Sequence, residues 1–348
     1  MRLLDRIAHC REPMRLAPGR GRLTPFEVTG ASQFSSRIAE CPLRFVLGDD
    51  LTRVSAELAF ADGARLAGCL DLLRIPAPRL WIEWNDAVYK RVIYETQSAA
   101  DSDAAAAHRR VGVLLQATAD GLGATGRTFW IDTADDDSTG GVTMSPLETH
   151  IDLRGRFAEA AHGADFLSGG FARVTDRSDA AMASLLHYVR FRFDESWVAY
   201  YRAAATTPDA QRQVVEDSLA AIARDTPFLL AFILLLTAKD ATRSTPILRA
   251  AINRKRAALG RVPLLDHVEV HASLDRLDPT EPHGLGMTGR QSPRLHHVRG
   301  HLVRRDHRVF WRVPHLRGSA ARGMVHSRTV CLSIAQPRAF EWDTAGQM

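Results

Sequence analysis

The chain reads as an α+β protein, with an N-terminal antiparallel β-rich part, a helical middle and a small basic C-terminal antiparallel meander. Three observations predict this. Aromatic and β-branched runs bounded by Gly, Pro, Asp or Asn concentrate before residue 155. Apolar side chains then recur at helical spacing up to Gly260, and alternation returns after Pro263. The implied organisation is a basic irregular arm over 1–30, a β-rich domain over 31–160, a helical region over 175–262, a basic β-meander over 263–335 and a tail over 336–348.

Taken in order, the arm mixes Gly and Pro with basic residues and has weak periodicity. SQFSSRIAECPLRFVL predicts a short helix, and LTRVSAELAFADGARLAGCLDLLRIP a strand, a turn at Asp62-Gly63 and a second strand. Strand signals strengthen at RLWIEW (Arg79 to Trp84), VYKRVIYET (Val88 to Thr96), RRVGVLLQAT (Arg109 to Thr118) and GRTFWIDT (Gly126 to Thr133). The glycine-rich break before Gly126 predicts a hairpin loop between the last two, and Trp81 and Trp84 are expected in the core.

The middle changes period. Ser178 predicts an N-cap for a helix over 178–203. Thr207-Pro208, Thr226-Pro227 and Thr245-Pro246 each match a helix start, a Thr cap followed by Pro at the first position. FLLAFILLLTA (Phe228 to Ala238) predicts a helix buried on most sides; at eleven residues it is too short for a bilayer, which needs about 20, so no membrane partner is expected. Gly260 suits a left-handed cap. Beyond it, DHVEVHASL (Asp266 to Leu274) alternates as a strand, 278–293 is a Pro/Gly-rich excursion, and LHHVRGHLVRR, VFWRV and HSRTVCLSI (His326 to Ile334) form the meander, with turns at Asp306-His307 and at Pro314 to Gly318.

Length and composition bound the function. With 348 residues, 45% hydrophobic and 24% charged, the chain can build one large domain or two to three smaller ones. Cys10, Cys41, Cys69 and Cys331 form no CxxC pair, so neither a disulfide framework nor a cysteine zinc site is indicated and a reducing cytoplasm is expected. The Arg-rich N-terminus lacks the apolar core of a signal peptide. The net charge of +5 is unevenly placed: from Arg290 to Arg328 there are ten arginines and one acid, Asp306. Nine of fourteen histidines lie between His267 and His326.

That segment carries the functional readings. Placing 294–305 on one strand puts His297, Arg299 and His301 on a shared face, about 6–7 Å between successive members. Two imidazoles and a guanidinium are a minimal kit for metal-independent RNA cleavage through the 2′-hydroxyl. A three-histidine zinc site built from His297 and His301 with His267 or His271 is opposed by the surrounding arginines, so no metal and no cofactor are assigned. The favoured reading is a phosphate-gripping surface of Arg294, Arg299, Arg304, Arg308, Arg312 and Arg317, with Trp311 to stack on bases. Against these stands the plain solvated sheet, weakened because such faces normally mix both signs of charge. The acidic run from Asp132 to Asp137 lacks calcium-loop spacing, and Gly121 to Gly126 lacks dinucleotide-motif spacing.

IPAPRLWIEW (Ile75 to Trp84) and RLHHVRGHLVRRDHRVFWRVPHLRG (Arg294 to Gly318) together resemble a group of uncharacterised proteins from bacterial prophages and tailed phages, in which a W-x-E-[WFY] strand precedes an R-x-H-x-V-R-G-H…W…P-H-x-R-G segment. The resemblance implies a phage or prophage origin, in the cytoplasm of a bacterial host or associated with the virion, and assigns no catalytic role. The expectation is an accessory protein that binds RNA or DNA; the alternatives are a virion or interaction component docking an acidic protein surface, and a ribonuclease.

Overall fold

A computed structural model describes residues 2–9, 14–16, 26–28, 31–97, 109–132, 142–155, 157, 171–172, 174–175, 180–194, 198, 205–273, 294–298, 301–305, 307–312, 315–317, 319–324 and 341–342. The helices are α1 (Leu3–His9), α2 (Ala31–Ala39), α3 (Asp49–Phe60), α4 (Gly63–Ala67), α5 (Asp86–Gln97), α6 (Ala180–Leu186), α7 (Pro208–Ile222), α8 (Asp225–Thr237) and α9 (Ala250–Ala258). The strands of the main sheet are β1 (Met14–Leu16), β2 (Phe26–Val28), β3 (Leu43–Leu47), β4 (Arg79–Asn85), β5 (Arg109–Ala117), β6 (Gly123–Asp132), β7 (Thr143–Asp152), β8 (Phe171–Ala172), β10 (Val189–Phe193), β11 (Thr242–Ile247) and β12 (His267–Ala272). The short β9 (Val174–Thr175) pairs with β18 (Glu341–Trp342). The C-terminal strands are β13 (Arg294–Val298), β14 (His301–Arg305), β15 (Arg308–Arg312), β16 (His315–Arg317) and β17 (Ser319–Met324).

The chain is α+β, built on one mixed sheet in the order β11-β12-β3-β4-β5-β6-β7-β1-β2, with β10 also on β7. The expected antiparallel meander is there, as β4 to β7, with the hairpin loop at 118–122. It is extended by a parallel trio, β12, β3 and β4, joined from β3 to β4 through α3 and α4. Both faces of this sheet are covered, which is why β4 reads as a nearly unbroken apolar run. Leu80, Ile82 and Trp84 enter a core shared with α3, α5 and α8, while Trp81 enters a second core shared with α1, α2 and α7. Trp81 fits because Gly112 lies on the next strand: a Cβ there would sit 2.2 Å from the indole ring.

Several local expectations give way to tertiary context. The strand pair expected after Leu51 is α3 and α4; in α3 Leu51, Thr52, Ser55, Ala56, Leu58 and Ala59 are buried, a helical spacing, and Asp49 and Asp50 sit in the first turn, where a carboxylate suits the helix dipole. VYKRVIYET forms α5, its β-branched residues packing on the core despite their strand preference. The long helix over 178–203 is replaced by α6 and then β10, where Val189, Phe191 and Phe193 alternate inward. Thr207 does cap α7, its hydroxyl accepting from the Ala210 N–H at 3.2 Å. By contrast, Thr226 and Pro227 lie inside α8, and Pro246 sits in the edge strand β11, a position that tolerates a missing N–H donor. The helix α8 is buried from Asp225 to Leu235, as its all-apolar text requires, and Gly260 adopts φ 64° after α9. Among the described residues no helix is long and apolar enough to cross a membrane.

The C-terminal segment keeps its small antiparallel sheet, the β14–β15 hairpin, but LHHVRGHLVRR is not one strand. β13 pairs with β16 and β17, while β14 pairs only with β15. The acidic stretch after Asp132, the excursion over 278–293 and the strand expected over 326–334 lie outside the described residues.

Candidate functional site

The hairpin register sorts the predicted binding residues. Leu302 pairs with Trp311 and Arg304 with Val309 on one face. Leu302, Val309 and Trp311 are buried in the same core as α8, and Lys239 clamps this strand with its N–H to the Val309 carbonyl and its carbonyl to the Trp311 N–H, both at 3.2 Å. Arg304 is held by a two-pronged ion pair with Asp71 at 2.8 Å on each oxygen, and by the Gly68 carbonyl at 2.6 Å. The opposite face carries His301, Arg312, Val303, Phe310, Arg305 and Arg308. Arg305, Arg308 and Arg312 are exposed, and His307 at the turn is exposed too. The aromatic side chain on the cationic face is therefore Phe310, half-buried, and not Trp311.

The remaining predicted residues fall in different places. His297 and Arg294 lie on β13 and Arg317 on β16, whereas His301 lies on β14. Because β13 and β14 belong to separate sheets, strand alternation does not bring His297 and His301 to a common face; Arg299 lies outside the described residues. His267 and His271 occupy opposite ends of β12, about 13 Å apart along the strand. The His267 side chain is fully buried and its imidazole is held neutral by that burial, opposed by the Leu265 carbonyl; His271 is exposed and paired with Asp50 at 3.1 Å. Among the described residues no group of three or more His, Cys, Asp or Glu side chains could hold a metal.

Sequence reading missed a second cationic region. Residues 242–265 contain Arg243, Arg249, Arg254, Lys255, Arg256 and Arg261 and no acid. They form the edge strand β11, whose four central residues are exposed, and α9, which buries no residue. Lys239, which grips the hairpin, leads directly into this strand, so the two basic elements adjoin at the rim of the sheet. A charge count over a window of about 25 residues was enough to find it.

Beneath α1 lies an inner set of charges. Glu83 is fully buried on β4, and its carboxylate accepts from the Leu3 and Leu4 N–H groups at 3.0 and 2.8 Å, from the Trp81 indole at 3.4 Å and from Arg110 at 2.5 Å. Arg2 pairs with Glu269 on β12. A cavity of about 620 Å³ opens beside these pairs, lined by Arg2, Asp5, Arg110, Arg256 and Leu264. The sequence signal was a single acid inside the apolar run WIEW; its partners Leu3 and Leu4 are 80 and 79 residues away and Arg110 is 27 away, so they could not be read from the strand. Compared with protein-family models, with curated proteins and with solved structures, the chain has no match.

Proposed function

We propose that the chain is a phage- or prophage-type accessory protein that binds nucleic acid through the outward face of the β14–β15 hairpin. One observation carries the reading. The register places His301, Arg305, Arg308 and Arg312 around Phe310 on one face, while the other face is anchored in the core by Leu302, Val309 and Trp311. Guanidinium forks grip phosphates, an aromatic ring accepts a base, and a rigid mount spares the ordering cost of binding. The acid-free β11–α9 region extends the same sign of charge beyond the hairpin. Affinity for a labelled single-stranded RNA or DNA oligonucleotide should fall steeply between about 50 and 200 mM salt. Replacing Arg308 and Arg312 with Ala should lower affinity at every sequence and reduce the salt slope by about 2, and Phe310→Ala should cost about 1–3 kcal/mol with single strands. Salt-independent or absent binding overturns the reading. New bands that persist in EDTA and vanish with His301→Ala would instead favour the ribonuclease alternative.

A second reading is favoured by a separate observation. The exposed large apolar residues among the described ones, Leu248 at 75%, Leu259 at 68% and Ile252 at 43%, all lie on the β11–α9 region. Apolar side chains among cations suit docking onto an acidic protein surface, as a virion or interaction component would require. Such a packed interface should hold at 200 mM salt, where phosphate binding weakens.

A further inference from the structure

Among the described residues the main sheet ends at β11, and two backbone bonds fix what that edge presents. The Ser273 N–H donates to the Ala241 carbonyl at 2.9 Å, which continues the β11–β12 register with a hydrogen-bonded pair. On the far side of β12, the Val270 carbonyl accepts from the Gly48 N–H at 2.8 Å. Both bonds give the same alternation. Arg243, Thr245 and Ile247 turn their backbone groups toward β12, and Thr242, Ser244 and Pro246 turn theirs outward. The edge therefore offers the N–H groups of Thr242 and Ser244 and the carbonyls of Thr242, Ser244 and Pro246. Pro246 stands at an outward position, so its missing N–H costs the ladder nothing. Neither face of β11 is packed, since its four central residues are exposed. Beside it, Ile252 lies on α9 with Leu248 and Leu259 just outside the two ends of that helix, all three exposed and at helical spacings of four and seven. Arg254, Lys255 and Arg261 are exposed too, and have no ion pair among the described residues.

We infer that β11 is a docking edge for an acidic segment of another protein, which adds to it as an extra strand. Donors and acceptors at strand spacing are what a peptide backbone satisfies, whereas a phosphate backbone has no donors to return. The acid-free stretch 242–265 sets the sign of the guest. A second copy of this edge would bring two sets of cations together, while a strand alternating acidic and apolar residues meets both the cations and the exposed apolar side chains. A charged residue and a proline on an edge also discourage unselected strands, which leaves a guest of opposite charge. The inference rests on the second reading above for an acidic protein partner, and adds how that partner is held: by the backbone groups of Thr242 and Ser244.

The test is fluorescence anisotropy of the full chain with a short labelled peptide alternating Val and Glu. Saturable binding that persists at about 200 mM salt is the expected result. Ser244→Pro is the informative variant: it removes an outward N–H and no ladder bond, so the fold should survive it as it survives Pro246. It should weaken the peptide at least about tenfold and leave affinity for a single-stranded oligonucleotide unchanged. On the wild-type chain, the same peptide with every backbone N–H methylated should not bind, and a peptide alternating Val and Lys should bind at least about tenfold more weakly. Hydrogen exchange at Thr242 and Ser244 should slow when the Val-Glu peptide is bound. No saturable binding of that peptide overturns the inference. Equal affinity in Ser244→Pro, or binding of the methylated peptide, overturns strand addition alone, whereas loss of binding at about 200 mM salt overturns the second reading with it. Replacing Arg308 and Arg312 with Ala separates this edge from the nucleic-acid face, since that variant should lose the oligonucleotide and bind the peptide as the wild-type chain does.

Discussion

The molecule carries two kinds of arginine cluster, and they obey opposite rules. Under α1, Arg2 and Arg110 each meet a glutamate, and the Glu83 carboxylate is closed off from water. On the hairpin and on β11–α9 the cations outnumber acids, and Arg254, Lys255, Arg305, Arg308 and Arg312 are exposed. A buried charge without a partner is expensive, so the inner cluster must be balanced and geometrically exact to exist at all. An exposed charge costs little, so the outer cluster is free to carry one sign in excess, and that excess attracts polyanions from a distance. The inner pairs therefore hold the fold together, and the outer arginines are the ones that the proposed binding would use.

The largest effect expected from this contrast is at Glu83. Glu83→Ala would leave Arg110 without its counter-ion and free the Leu3 and Leu4 amides at once. A loss of about 3–5 kcal/mol is expected in urea unfolding, as for breaking one partner of a buried ion pair. Limited proteolysis should also cleave near α1 in the variant before the sheet is attacked. A loss under about 1 kcal/mol would mean that the inner cluster follows the rules of an exposed one.

How much of this was legible depends on the range of the interactions involved. RLWIEW, RRVGVLLQAT and GRTFWIDT were readable because local pattern and tertiary position agree in them, and α8 because a run that is apolar on every side has nowhere to go but inside. VYKRVIYET was misread because Val88, Val92 and Ile93 favour strands intrinsically, while the packing of α5 on Trp84 and Phe228 decides otherwise. Thr245-Pro246 was misread because the same dipeptide serves a helix start or a sheet edge, and only the pairing of Pro246 with Val268 distinguishes them. The antiparallel pairing of β14 with β15 and the opposite faces of Phe310 and Trp311 followed from alternation; which face was wet did not, because the core that swallows Trp311 comes from residues far earlier in the chain. The cavity was invisible for the same reason, since Arg2, Arg110 and Arg256 converge from three distant segments.

A second inner cluster supplies a smaller, pH-dependent effect. Arg127, buried on β6 opposite Glu148 of β7, bridges Glu148 at 2.9 Å and Asp194 at 2.6 Å, and Arg192 reaches Glu148 at 3.1 Å. The His150 ring, with the Arg127 and Arg192 guanidiniums, draws the Glu148 carboxyl down from its ordinary 4.5 to about 2. A carboxyl held lower in the folded chain than in the unfolded one stabilises the fold while it is ionised. That contribution is complete above pH 4.5 and is lost as pH falls toward 2. Wild type should therefore lose on the order of 2 kcal/mol more than Glu148→Gln across this window, allowing for partial solvent screening. Parallel pH–stability curves for the two would place Glu148 among the screened surface charges.

The smallest effect sharpens the contrast most, because it concerns a residue that belongs to the hairpin by sequence and to the inner rule by geometry. Arg304 stands one residue from Arg305 and four from Arg308, yet its side chain turns back onto Asp71 and the Gly68 carbonyl while theirs face solvent. Since the pair is itself exposed, Arg304→Ala should leave the thermal midpoint within about 2 °C of wild type. Since its fork is already occupied, the same variant should leave affinity for a single-stranded oligonucleotide within about twofold, whereas Arg308→Ala, whose guanidinium has no ion pair among the described residues, should lower it several-fold more. Side-by-side anisotropy titrations at 50 and 200 mM salt would decide it, and the salt slope of Arg304→Ala should match wild type. If Arg304→Ala instead weakened binding as much as Arg308→Ala, the Asp71 pair would have to open when a strand arrives. The division between fold-holding and partner-facing arginines would then be a property of the free protein alone.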